Sequence, residues 1–222
     1  PRKSGGAKPG EIVVAHLTEQ PGSETQPVGE IVEVLGAADA PNIETEVAIR
    51  AHGIPFEWNE EALAEAEGLG GRVRPKDKRD REDLRELPLV TIDGADAKDF
   101  DDAVYAERAG SGWRLIVAIA DVSHYVKPGT ALDQEGHQRG NSVYFPERVI
   151  PMLPEVLSNG LCSLKPAEDR LCLACDMSVD EHGQVTRSRF VARSRRCFER
   201  PLRTSSHSST DSLSRSMSCR YS

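Results

Sequence analysis

Apolar and polar residues alternate in short runs along most of this chain, and Gly and Pro punctuate them. Glu11 to Leu17 and Val28 to Leu35 each read as a strand, with a polar loop from Gln20 to Pro27 between them and Gly36 as a stop. Glu46 to Arg50 reads as a short third strand. This spacing suits a small β-barrel of the OB type or another small β module, and the pattern alone does not choose between them. Asn59 to Gly68 carries helix signals: Asn59 as N-cap, acids in the first turn and Gly68 as the stop. Gly70 to Arg85 is rich in Gly, Pro and charge, and its basic run from Arg72 to Arg79 reads as a solvated linker. A phosphate-contacting rim is the functional alternative.

From about Asp83 the pattern changes. The apolar run Leu87 to Ile92 leads into an acidic stretch. Ala103 to Glu107 and Trp113 to Ala120 then form a hairpin around Ala109-Gly110-Ser111-Gly112. Ala131 to Arg139 reads as a helix ended by Gly140, Val143 to Pro146 as a short aromatic strand, and Glu155 to Leu161 as a short helix. Leu171 to Val179 and Val185 to Val191 form a last hairpin. From Arg193 to Ser222 the chain is Arg/Ser-rich without apolar periodicity, and its composition predicts disorder.

Composition narrows the function classes. The 222 residues allow one large or two modest domains, and 5% aromatics imply an aliphatic core. A net charge of −8 argues against a uniformly basic nucleic-acid binder while leaving room for a local basic groove. The longest apolar run, Leu115 to Ala120, is too short to span a bilayer, so no membrane partner is expected. The five cysteines follow no secreted-scaffold spacing, which favours a reducing, cytoplasmic setting. Cys172 and Cys175 form a C-x-x-C with Cys162 and His182 nearby, but a second paired half is missing. Leu171 to Cys175 reads instead as a buried strand.

The chemistry concentrates in Asp93, Asp96, Asp99, Asp101 and Asp102, five acids within ten residues. Strand-like segments on both sides argue that folded structure holds them together. At an effective dielectric of ~20, two carboxylates ~5 Å apart repel by roughly 3 kcal/mol. Oxygen-only ligands of this kind favour Mg²⁺ or Mn²⁺, and such a site can position a water and stabilise a phosphodiester transition state. The bland alternative is a charged loop between strands. An EF-hand is excluded, because the acids are not at alternate positions and Val104 occupies the twelfth. His124 has no nucleophile beside it and reads as a loop histidine.

The chain resembles the RNB catalytic domain of the RNase R/RNase II exoribonuclease family. The resemblance rests on Leu87 to Gly94, Asp99 to Val104, Trp113 to Ser123, Ser142 to Pro146 and Val149 to Leu164, in that order. Gly29 to Gly36 resembles the second cold-shock domain that precedes the catalytic domain in this family. The resemblance covers about residues 9–192 and implies an α+β fold. It would comprise the C-terminal part of an OB/cold-shock-type barrel (1–58), a helix and charged linker (59–82), and the N-terminal half of a mixed α/β RNB domain (83–192). It further implies a monomeric enzyme that degrades single-stranded RNA processively, 3′→5′, to nucleoside 5′-monophosphates. The family's four acids fall on Asp93, Asp99, Asp101 and Asp102, which would hold one or two Mg²⁺ ions; Asp101 matches the aspartate that catalysis requires. Tyr144 matches the aromatic that stacks near the RNA 3′ end. Asp96 lies outside that quartet.

The family pattern stops after Phe190, and the expectation for 193–222 is out-of-frame translation or a truncated gene. A catalytically dead RNA-binding remnant is the competing function, and a metal-binding structural protein the third.

Overall fold

The computed structural model describes residues 5–20, 22, 26–94 and 97–196, with the backbone alone for 193–196. Asp96, residues 1–4, half of the polar loop 20–27 and the tail beyond 196 lie outside the described residues. Strands β1 (Glu11–Glu19) and β2 (Val28–Ala37) pair antiparallel, with register shifts that bend the ribbon.

The expected strand at Glu46 to Arg50 is instead part of helix α1 (Ile43–Ala51). A five-residue alternation is too short to separate the two periods. The local chemistry favours the helix. Asn42 turns the chain at φ 62°, Glu44 and Glu46 face the positive helix start, and Arg50 sits in the last turn. Arg50 bonds Glu46 one turn back and Glu33 of β2 at 2.6 Å, tying helix to ribbon.

Helix α2 (Glu60–Leu69) starts at the expected cap, where the Asn59 side chain accepts from the Glu61 amide at 2.7 Å. It runs past Gly68 and stops at Gly70, whose φ of 72° ends the helical geometry. The stretch that follows is mostly exposed, as a solvated linker would be, but it is anchored at a few points. Val73 and Leu84 join the core, and Pro75–Lys78 forms a 3₁₀ turn. Two residues of the basic run are paired, Arg74 with Asp77 at 2.8 Å and Lys78 with Asp169 at 2.8 Å, while Arg72, Lys76 and Arg79 stay exposed.

A five-stranded sheet follows, built from β3 (Glu82–Asp83), β4 (Asp102–Ala109), β5 (Gly112–Ala120), β8 (Asp169–Val179) and β9 (Val185–Arg196) in the order β3-β9-β8-β5-β4. Only the β3–β9 pairing is parallel. Helix α3 (Ala131–Arg139) and the small pair β6 (Val143–Tyr144) and β7 (Val149–Ile150) lie between β5 and β8 in the chain, followed by a π-helical turn at Leu157–Leu161.

One sheet face carries Ile116, Ala118, Cys172 and Ala174 into a core completed by Ala62 and Ala66 of α2, Leu132 of α3, and Leu157 and Leu161. The other face leaves Ile119, Leu173 and Phe190 exposed. Period-two alternation separates the two cysteines of the C-x-x-C: Cys172 is buried and Cys175 half-buried.

Strand β9 also corrects the expected start of the tail. Residues 193–196 continue the strand opposite Cys172 to Asp169, because ladder hydrogen bonds need backbone partners rather than apolar side chains.

Candidate active site

The acidic stretch occupies the connection between Leu89, fully buried in the core, and β4. The run Leu87 to Ile92 is mostly not a strand. It pairs once, where Val90 and Val104 exchange backbone hydrogen bonds of 2.9 and 2.8 Å. That bridge brings the chain before Asp93 alongside the chain after Asp102. The connection thus begins and ends on the same edge of the sheet.

Its second half is fixed at three points. The Phe100 amide donates to Ser163 Oγ at 3.1 Å, and that hydroxyl donates to the Lys98 carbonyl at 2.7 Å. The Leu164 amide reaches the Phe100 carbonyl at 2.8 Å, and the Ala120 amide reaches the Asp101 carbonyl at 2.9 Å. Asp99 and Asp101 therefore sit on backbone held from both sides, while Asp102 opens β4 opposite Ile119.

The carboxylates sense one another. Reduced hydration raises the Asp101 pKa above the ordinary carboxylate value, and the charges of Asp99, Asp102 and Asp93 add to the rise. Asp93 is raised in the same way, by reduced hydration and then by Asp102 and Asp99. Asp93, Asp101 and Asp102 remain open to solvent. The donor set fits a hard divalent cation in ligand chemistry and in shared charge. Among the described residues, which exclude Asp96, no three such side chains converge to ligating geometry.

Tyr144 stands beside these acids. It is 63% exposed, so it is not a core aromatic, and its hydroxyl donates to Asp99 Oδ2 at 2.7 Å. That bond, followed by reduced hydration and the acidic surroundings, raises the phenol pKa. Phe145, its neighbour, is half-buried.

Two features escaped the sequence reading. Ser163 is fully buried and holds the acidic stretch. The available signal was a lone hydroxyl within the apolar run Leu161-Cys162-Ser163-Leu164. The other feature is a polar network that includes His124. Asp121, 3% exposed, accepts from Arg81 at 2.6 Å and Ser123 at 2.7 Å. Burial works to raise the Asp121 pKa, but the bonds from Ser123 and Arg81 outweigh it and hold it low. His124 Nε2 lies 3.4 Å from Asp77, so this histidine sits within a polar network. Cys162 lies near Asp101 and Asp121; burial, then those charges, pushes its thiol up to about 12.

An α+β fold whose sheet edge carries a fixed loop of coupled carboxylates beside an exposed tyrosine defines a class of protein suited to divalent-metal chemistry. Comparison with known proteins gives the class its family. The RNB domain matches residues 81–194, and a cold shock domain matches residues 1–59. The chain belongs to the RNB domain family.

It is 57% identical over 181 residues to Ribonuclease R of Acidithiobacillus ferrooxidans, covering 82% of this chain and 41% of that protein. It is 55% identical over 186 residues to Ribonuclease R of Escherichia coli (strain K12), covering 83% of this chain and 23% of that protein. The fold matches Mycoplasma genitalium RNase R, solved in complex with ribose methylated single-stranded RNA, with a TM-score of 0.79 and 32% identity. That match covers 85% of this chain and 30% of the other. The chain thus spans less than half the length of these relatives.

Proposed function

We propose that this chain carries the acidic centre of a 3′→5′ exoribonuclease that hydrolyses single-stranded RNA processively to nucleoside 5′-monophosphates. The observation that carries this reading is the fixed loop bearing Asp99 and Asp101, coupled in charge to Asp93 and Asp102 and bonded to Tyr144. Asp93, Asp99, Asp101 and Asp102 would hold one or two Mg²⁺ or Mn²⁺ ions. When bound, the cation offsets charge on the scissile phosphate and lowers the pKa of a water.

The protein's own contribution is placement. The hydrogen bonds at Lys98, Phe100 and Asp101 hold the ligand-bearing backbone in position before substrate arrives. Tyr144 offers an accessible ring against which the 3′-terminal base stacks, an interaction of about 1–3 kcal/mol. Among the described residues no helix is long and apolar enough to cross a membrane. The cysteines Cys162, Cys172 and Cys175 are free thiols, which suits action on RNA in the reducing cytoplasm.

The test is a time course on 5′-labelled single-stranded RNA, with and without Mg²⁺, for this chain and for Asp101→Asn. Metal-dependent shortening from the 3′ end, lost in Asp101→Asn, is the expected result. RNA binding by both proteins without cleavage by either would replace this reading with the RNA-binding remnant.

A further inference from the structure

We propose that Ser163 is a positioning residue for the acidic centre: its buried hydroxyl sets the backbone on both sides of Asp99. Ser163 belongs to the segment that follows the π-helical turn and is 0% exposed. Its oxygen accepts from the Phe100 amide and donates to the Lys98 carbonyl, so one hydroxyl fills a backbone donor and a backbone acceptor that flank a single residue. Among side chains of that size only a hydroxyl does both strongly, since a thiol is a weak donor and a weak acceptor.

The hydroxyl is itself held. The Ser163 carbonyl accepts from Arg170 Nε at 2.8 Å, and Arg170 is 4% exposed. The adjacent Leu164 amide bonds the Phe100 carbonyl, so the stretch around Phe100 is gripped by two consecutive residues. A loop whose carboxylates repel one another would otherwise relax by moving them apart. The Ser163 bridge resists that movement.

This inference rests on the carboxylates acting as metal ligands, so its test separates the two ideas. The first measurement is amide hydrogen exchange on the wild-type chain without metal. The Phe100 amide, although flanked by two aspartates on a surface loop, is expected to exchange slowly. Free exchange at Phe100 would overturn the bridge without any variant. The second measurement is Mn²⁺ affinity, read as free Mn²⁺ by electron paramagnetic resonance, for wild type, Ser163→Ala and Ser158→Ala.

Ser158 is the control. Its Oγ is also buried, on the π-helical turn just before Ser163, but has no hydrogen-bond partner among the described residues. Ser163→Ala is expected to weaken Mn²⁺ binding about ten-fold or more, the usual effect of losing a group that orients metal ligands. Ser158→Ala is expected to match wild type. Equal weakening in both variants, or none in Ser163→Ala, overturns the positioning role. A wild-type chain that takes up no Mn²⁺ sinks the metal reading and with it this role, while slow exchange at Phe100 would still establish the bridge itself.

Discussion

Asp77 shows how one side chain ties stability to pH. It accepts from the Arg74 side chain and backbone and faces His124. The Arg74 guanidinium is the main cause that lowers its pKa from 3.8 to about 2. A folded-state pKa below the unfolded value means that the ionised carboxylate favours the fold. Its contribution is complete above the unfolded value of 3.8 and is lost as pH falls through about 2. Asp77→Asn is therefore expected to lower the urea midpoint at pH 7. The gap to wild type is expected to shrink between pH 4 and pH 2, as followed by circular dichroism. A gap independent of pH would show that Asp77 acts through its shape rather than its charge. None of this was legible in the string Arg72 to Arg79, which reads as a solvated basic run. Whether a lysine or arginine is free or paired depends on which acid the fold brings to it.

The β4–β5 hairpin shows what a short motif decides. Its sequence predicts the turn, and the structure closes it with Ala109 opposite Gly112. Gly110, at φ 62°, supplies the left-handed geometry that such a two-residue turn needs. Gly112 has a different reason to be glycine, and the motif did not reveal it. A Cβ there would lie 2.1 Å from the Val179 carbonyl oxygen of β8. Gly112→Ala must push β8 away from β5 and is expected to destabilise the fold by about 3 kcal/mol in chemical denaturation. An effect below about 1 kcal/mol would mean that the two strands separate easily at this end. Helix α1 teaches the opposite lesson: Glu46 to Arg50 reads as a strand, and the acids of the first helical turn plus the Arg50 ion pairs decide otherwise.

Across the molecule, Arg139 of α3 joins the cold-shock-like segment to the RNB-like unit. Its guanidinium donates to the carbonyls of Pro55 at 2.9 Å and Glu57 at 2.7 Å, pairs with Glu135 at 2.9 Å, and lies 3.5 Å from the Trp58 ring centroid. Arg139→Ala leaves the buried Glu135 carboxylate without its guanidinium partner and the carbonyls of Pro55, Glu57 and Pro151 without this donor, at an expected cost of about 3–5 kcal/mol in urea unfolding. Arg139→Lys is expected to recover little of this, because an ammonium cannot reproduce the planar fork. Full recovery by lysine would show that charge alone matters there.

Local pattern was enough for the hairpins, for α2 and α3 and for the acidic stretch, because alternation, caps and glycine stops act over a few residues. The residue types of the stretch also suit the hard divalent cation proposed for it. Tertiary structure decided what depends on distant partners. It placed Ser163 under Asp99 across 64 positions of chain, since Ser163 and Asp99 are that far apart in number. It carried β9 through Arg196 because β8 runs alongside it as a backbone partner, and it anchored the charged linker through Val73 and Leu84. In each case the deciding contact was between residues remote in sequence, and a sequence states the identity of such residues without stating which of them meet.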